Sequence, residues 1–192
     1  YFDKTKLVAL RQQIESVLEG VVIVYGEGAT CLAQDCDVLV YAVMARWEIQ
    51  LRMRRKEVSN LGVANHQGEF TSLYKQAFFV DWRVLDKHKV KLMDRWDFVL
   101  DTNKPDQPKL VKGDAIRKGL EMATKRPFRV VPFFDPGPWG GQWLKEVVDL
   151  DRSVVNFAWG FDCVPEENSL LLKFGDVVFE LPSINLVLKK PV

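Results

Sequence analysis

The sequence predicts an α/β region over residues 1–126 and a mainly β region over residues 127–192. In the first region, short β-branched runs alternate with segments of helical periodicity, which is typical of α/β domains. In the second region, short apolar runs are separated by turn residues, which is typical of antiparallel sheets. Because the pattern changes near residue 126, we expect two domains that meet there.

The first region opens with an expected amphipathic helix. Residues 4–19 carry apolar side chains at helical spacing, and Gly20 follows them in the position where glycine commonly ends a helix. The β-branched run at residues 21–25 and the apolar run at residues 37–43 predict strands. Residues 46–57 have helical composition and are rich in arginine, so they predict a basic helix.

The remainder of the first region predicts two more strands and one more helix. Residues 77–85 and 96–100 resemble strands in their apolar content. Residues 102–112 contain two prolines and predict an exposed connection. Asp114 is expected to cap a helix over residues 115–125.

The second region predicts strands separated by tight turns. Residues 128–134, 170–172, 177–179 and 184–188 are apolar and strand-like. Residues 173–176, with the sequence Lys-Phe-Gly-Asp, predict a hairpin turn.

The composition indicates a globular chain without a strongly charged surface. Of the 192 residues, 47% are apolar, and the 27 basic residues nearly balance the 26 acidic ones. A nucleic-acid partner is therefore not expected, because such binders are usually strongly basic. A membrane partner is not expected either, since no apolar run approaches the roughly 20 residues of a membrane span. The first residues are polar, and the three cysteines are expected to be reduced, so we predict a cytoplasmic protein.

The tripeptide Trp139-Gly140-Gly141 follows the apolar, strand-like run at residues 128–134. This stretch resembles the opening of the cupin barrel in type I mannose-6-phosphate isomerases. Residues 156–192 are similar to a subgroup of long isomerase-like proteins that carry an additional N-terminal α/β region. The resemblance implies a zinc-dependent interconversion of mannose 6-phosphate and fructose 6-phosphate, with a phosphosugar as the substrate.

The resemblance also implies a zinc site that this sequence does not supply. Cupin zinc sites in the family use two His, a Glu and a Gln-type ligand, and the first two ligands form a Gln-x-His pair. The chain contains only His66 and His88, and neither belongs to such a pair. We expect no metal in this chain and assign no catalytic residue. The Trp-Gly-Gly turn is expected to be structural, with the indole closing one end of a barrel.

Residues 21–55 follow the order strand, glycine turn, strand and arginine-rich helix. This order resembles the C-terminal half of P-loop nucleoside and uridine kinases, so the first region is expected to be kinase-like but incomplete. The candidate phosphate-binding residues that this resemblance implies are Gly26, Gly28, Arg46, Arg52, Arg54 and Arg55. Arginine suits this role because its planar guanidinium binds phosphate oxygens in pairs. The sequence has no Gly-x-x-x-x-Gly-Lys-Ser/Thr loop, so kinase catalysis is not expected, and a solvated basic helix face is the simpler interpretation.

Three functions remain open from the sequence. The chain is a part of a mannose-6-phosphate isomerase-like protein, a phosphate- or nucleotide-binding module related to kinases, or a structural and oligomerisation domain. In the first case its main partner is the remainder of the same polypeptide, and the isolated chain is expected to be inactive. A homo-oligomer is a further expectation.

Overall fold

The computed structural model describes residues 3–125, 149 and 169–188. These residues form a mixed α/β fold with small sheets, as the sequence predicts. The chain divides into two compact units, Tyr1–Leu39 and Val40–Val192. The domain boundary predicted near residue 126, the strand predicted at residues 128–134 and the Trp139-Gly140-Gly141 turn lie outside the described residues.

The first unit contains the predicted N-terminal helix and one helical turn. Helix α1 (Lys4–Glu15) begins after Asp3, whose carboxylate accepts hydrogen bonds from the backbone N–H groups of Thr5 and Lys6. Helix α2 (Ala29–Leu32) is short. The guanidinium of Arg11 donates from Nε to the carbonyl oxygen of Cys31 at 3.2 Å and connects the two helices.

The predicted strand at residues 21–25 is not a strand in the structure. The segment has no regular secondary structure, and the side chains of Val21, Ile23 and Tyr25 are exposed. The reason is that a strand requires a hydrogen-bonded neighbour, and the described sheets contain no partner for this segment.

The second unit contains a three-stranded sheet in the order β1-β2-β3. Strand β1 (Val40–Val43) pairs in parallel with β2 (Phe98–Asp101), and β2 pairs in antiparallel fashion with β3 (Lys109–Lys112). The sequence predicted β1 within residues 37–43 and placed a strand at residues 96–100, which overlaps β2. It was wrong about residues 102–112, whose last four residues form β3, because their alternation places Val111 on the same side as the buried Val99.

Residues 70–90 form one continuous helical segment, so the strand predicted at residues 77–85 is wrong. The segment consists of α4 (Phe70–Gln76), a π-helical turn (Ala77–Asp81) and α5 (Trp82–Val90). Aromatic side chains recur at intervals of four residues and pack against each other, and this helical packing overrides their strand propensity. The packed rings are Phe70, Tyr74, Phe78 and Trp82.

The aromatic side of this segment packs against the basic helix α3 (Arg46–Arg54), which the sequence predicted. The π-helical turn directs Asp81 inward. Its Oδ2 accepts hydrogen bonds from Asn60 Nδ2 at 2.7 Å and from the N–H of Leu61 at 3.2 Å, which fixes the loop between α3 and α4.

Helix α6 (Gly113–Thr124) follows β3 and begins after Lys112. Asp114 lies in the first turn, so the prediction that it caps the helix is wrong. The helix begins at Gly113, which lies against the carbonyl of Trp96. A residue with a Cβ atom would clash with that carbonyl oxygen, so glycine is required at this position. Ile116 and Leu120 are both 0% exposed, in agreement with their predicted inward orientation.

The described part of the C-terminal region is a hairpin followed by a short helix. Strands β4 (Ser169–Phe174) and β5 (Val177–Pro182) pair in antiparallel fashion around Gly175, which has a φ of 59°. The two predicted strands and their turn are therefore confirmed. Helix α7 (Ile184–Leu188) replaces the strand predicted at residues 184–188, because the chain turns after Pro182 and no strand among the described residues pairs with this segment.

No described helix has the length and apolar character that crossing a membrane requires.

The contact between Gly113 and Trp96 gives a test of the fold. We expect Gly113→Ala to destabilise the protein by about 1–3 kcal/mol, because the new methyl group overlaps the backbone of Trp96 and the helix must shift. Gly119→Ala in the same helix is the matched control. Its added methyl group meets the side-chain ends of Leu172 and Phe174, which can move, and should change the stability by no more than about 1 kcal/mol. Urea unfolding followed by circular dichroism measures both, and equal stabilities would contradict the packing.

Candidate functional site

The two glycines of the predicted phosphate site have a local structural role. Gly26 and Gly28 have φ values of 107° and 87°, which side-chain-bearing residues rarely adopt. The carbonyl of Gly26 accepts a hydrogen bond from the N–H of Ala29, so the glycines form the turn that leads into α2. They belong to the first unit, whereas the predicted arginines belong to the second.

The four predicted arginines lie on or beside α3 and contact protein groups. Arg52 Nε donates to Glu48 Oε1 at 2.8 Å, and Arg55 Nη2 donates to the same oxygen at 3.1 Å. Arg55 also pairs with Glu57, and these hydrogen bonds raise the pKa of Arg55 and lower the pKa of Glu57. The Arg54 guanidinium lies 3.8 Å from the centre of the Phe70 ring. Phosphate binding by this set stays a prediction.

Arg46 is part of a buried charged cluster on the other side of α3. Its Nη2 donates to both carboxylate oxygens of Asp86 at 3.1 Å, and Lys89 Nζ donates to Asp86 Oδ1 at 2.8 Å. All three side chains are less than 10% exposed. The guanidinium also lies 4.4 Å from the centre of the Trp82 ring. We call Arg46, Asp86 and Lys89 the Asp86 cluster.

Burial changes the ionisation of the groups in and around this cluster. Desolvation lowers the pKa of Arg46 and the pKa of Lys89, although the Asp86 carboxylate opposes both shifts. Desolvation also raises the pKa of the Tyr41 hydroxyl, and the nearby Asp86 charge raises it further. Tyr41 stacks on Trp96 with 4.7 Å between ring centres. Two cations therefore share one carboxylate where water is largely excluded.

A second buried cluster lies where the parallel strands β1 and β2 end. Asp101 is 2% exposed. Its Oδ1 accepts from the N–H of Asn103 at 2.9 Å, and its Oδ2 accepts from the N–H of Glu180 at 3.1 Å and from Lys109 Nζ at 3.4 Å. The carboxylate at the end of β2 therefore binds the connection that follows β2, the start of β3 and the middle of β5.

Side chains next to Asp101 extend this network to α3. Asn103 Oδ1 accepts from the N–H of Ala45 at 2.7 Å, and Asn103 Nδ2 donates to the carbonyl of Glu180 at 3.3 Å. Trp47 Nε1 donates to Glu180 Oε1 at 2.5 Å. We call Asp101, Asn103, Lys109, Glu180 and Trp47 the Asp101 cluster. No sequence motif pointed to these residues.

The position of the Asp101 cluster indicates what it can do. Open α/β sheets commonly bind ligands at the carboxyl ends of their parallel strands. Here the polar groups at that edge are hydrogen-bonded to the backbone of β5 instead. Lys109 Nζ adds a bond to the carbonyl of Val178 at 2.6 Å. The edge therefore holds a protein segment.

A cleft of about 270 Å³ lies between the 3₁₀ turn Met93–Arg95, the start of β2 and the start of α6. Its charged lining residues are Asp94, Arg95, Asp97, Lys112, Asp114 and Arg117. Arg117 donates to the carbonyls of Met93 and Trp96 and pairs with Asp114, so it supports the cleft wall. The lining has equal numbers of acidic and basic side chains and favours no charged class of ligand.

The described residues do not fit the zinc that the isomerase resemblance implies. Within residues 3–125, 149 and 169–188, no group of three or more His, Cys, Asp or Glu side chains is placed to hold a metal ion. His66 lies in an exposed loop with Nδ1 3.4 Å from Ser59 Oγ. His88 lies on α5, in a different segment of the chain from His66.

The fold and the two clusters define a mixed α/β protein in which buried ion pairs and hydrogen bonds connect helices, sheet and hairpin. The chain belongs to the family described as Domain of unknown function (DUF8485), which matches residues 1–125. No curated protein and no solved structure matches the chain.

The Asp101 cluster predicts a destabilised hairpin when its carboxylate is removed. We expect Asp101→Ala to cost about 3 kcal/mol of unfolding free energy, since it leaves the buried N–H groups of Asn103 and Glu180 without acceptors. Hydrogen exchange at the N–H of Glu180 should accelerate accordingly. Asp106→Ala in the exposed loop between β2 and β3 is the control and should stay within about 0.5 kcal/mol of the parent. Unchanged exchange at Glu180 would contradict the role of Asp101.

The raised pKa of Tyr41 predicts a loss of stability at alkaline pH. Below its ordinary value of 10.0, Tyr41 is neutral in both folded and unfolded chains. Above that pH the unfolded chain releases the proton while the folded chain retains it, so stability falls with rising pH. Relative to Tyr41→Phe, the parent should lose about 1.4 kcal/mol per pH unit in this range. Urea titrations on both sides of pH 10.0 measure the difference, and parallel pH profiles would contradict it.

Proposed function

We propose that the chain is a supporting region of a type I mannose-6-phosphate isomerase-like protein. In this proposal, the kinase-like α/β region holds the first strands of a cupin-like region, and the zinc ligands come from residues outside this sequence. The observation that carries the proposal is the set of hydrogen bonds between Asp101, Asn103 and the backbone of Glu180.

The position of the hairpin in the sequence supports this proposal. Strands β4 and β5 follow the Trp139-Gly140-Gly141 sequence in the chain, which the proposal takes as the opening of the cupin-like region. The side chains that hold β5 come from the preceding α/β region, which is the part of the chain that matches the family. A supporting role requires such contacts between the two regions.

The packing of α6 against the β4–β5 hairpin also supports the proposal. The Cα of Gly119 lies so close to the hairpin that an added methyl group would be 3.1 Å from Leu172 Cδ1 and 3.4 Å from the Phe174 ring. Leu170, Leu172, Phe179 and Leu181 are buried on one face of the hairpin. An isolated two-stranded hairpin is marginally stable in water, so β4 and β5 depend on this support.

Two measurements on the chain test the proposal. Purified residues 1–192 should contain no stoichiometric zinc and should not interconvert mannose 6-phosphate and fructose 6-phosphate. Stoichiometric zinc together with turnover would overturn the claim that the metal site lies elsewhere.

The complete reading frame provides the stricter test. The proposal requires a Gln-x-His pair outside residues 1–192, followed by a Glu and a His. In that longer protein, Asp101→Ala should lower the isomerase activity at elevated temperature before Asp106→Ala does, because the hairpin is less firmly held. A reading frame without these ligands would refute the isomerase assignment.

A further inference from the structure

The second unit exposes a basic face with apolar side chains at its centre. Phe79 is 70% exposed in the π-helical turn, and Val80 and Val90 are 42% and 43% exposed. The exposed charged residues around them are Lys75, Arg83, Lys87 and Lys91. The acidic residues of this segment, Asp81 and Asp86, are both buried. We call this surface the Phe79 face.

An exposed phenylalanine at the centre of such a face is unusual. Single exposed apolar residues are common, but an aromatic side chain that is 70% exposed beside two exposed valines resembles the core of an interface. The Phe79 ring contacts Phe78 edge to face, with 5.0 Å between ring centres, so the side chain is held in place. π-Helical turns often occur at functional positions.

The first unit exposes an apolar stripe in an acidic stretch of the sequence, whereas the Phe79 face is basic. Val21, Ile23 and Tyr25 are 88%, 79% and 90% exposed, whereas Val22 is 43% exposed, so alternate side chains face outward. Leu18 is 92% exposed and extends the stripe. Residues 15–27 contain Glu15, Glu19 and Glu27 and no Lys or Arg. We call this surface the Ile23 stripe.

We propose that the Ile23 stripe of one copy of the chain binds the Phe79 face of a second copy. The apolar side chains would meet at the centre, and the glutamates would lie near the lysines and Arg83. The lengths agree, since residues 21–25 span about 13 Å when extended and residues 79–90 span about 16 Å along a helix. A two-fold dimer would contain this contact twice. This inference does not depend on the proposed isomerase relationship.

Charge complementarity favours this arrangement over pairing of two Ile23 stripes. If two copies paired in antiparallel fashion around Ile23, Glu19 of one copy would lie opposite Glu27 of the other. Like charges at directly opposed positions destabilise strand pairs. Two Phe79 faces would repel each other for the same reason, because their exposed charges are all basic.

The test is the self-association of residues 1–192, measured by sedimentation equilibrium at several protein concentrations and two salt concentrations. We compare the parent with Ile23→Asp and Phe79→Asp, both at exposed positions, where a polar residue is compatible with folding. Met122→Asp on α6 is the matched control, because Met122 is also exposed, at 48%, but belongs to neither surface. Circular dichroism verifies that every variant is folded.

We expect a dimer that weakens with salt, as charged contacts do. Each of the two variants should weaken it at least about tenfold, which is typical for the loss of a central interface residue. An equimolar mixture of the two variants should associate more strongly than either alone, since the intact stripe of one chain can bind the intact face of the other.

Three outcomes would overturn the proposal. A parent chain that stays monomeric at every concentration has no such interface. An effect of only one of the two variants indicates that identical surfaces pair, and the mixture then gives no recovery. A loss of association in Met122→Asp equal to that in Phe79→Asp indicates nonspecific association through exposed apolar side chains.

Discussion

The buried carboxylate of Asp101 is the constraint on which the second unit depends. A carboxylate ion that is 2% exposed is strongly unfavourable unless donors surround it. The donors come from three separate places, namely Asn103 after β2, Lys109 in β3 and the N–H of Glu180 in β5. Satisfying one ion therefore fixes the end of the sheet, the connection that follows it and the hairpin in a single geometry.

The Asp86 cluster depends on the same region through the start of α3. Ala45 donates its N–H to Asn103, and the next residue, Arg46, pairs with Asp86 on α5. The loss of either partner of such a buried pair is costly because the other charge remains without compensation. The two clusters thus position the start of α3 through the adjacent residues Ala45 and Arg46, one toward the Asp101 cluster and one toward the helical segment at residues 70–90.

Sequence patterns predicted the elements whose character is local and missed those set by distant contacts. Strands β1, β2, β4 and β5 and helices α1, α3 and α6 have clear periodicity or turn residues. Residues 77–85 do not, because an aromatic-rich run is compatible with a buried strand or a buried helix. The two clusters could not be predicted from local patterns, because their members are distant in the sequence. Asp101 and Glu180 are 79 residues apart, and Arg46 and Asp86 are 40 residues apart.

The same contacts define what a phosphate would have to displace at Arg52. Arg52 Nη2 donates to the carbonyl of Thr102, next to Asp101, while its Nε holds the buried Glu48. Turning this guanidinium toward a ligand would remove one of the two arginine partners that Glu48 has in the described part of the chain, and would free the loop that Asp101 organises. A phosphate would have to compensate both losses before it gained affinity. The geometry of α3 therefore joins Arg52 to the loop after β2 and Arg46 to α5, so these two guanidinium groups hold the helix against the sheet and against the helical segment at residues 70–90.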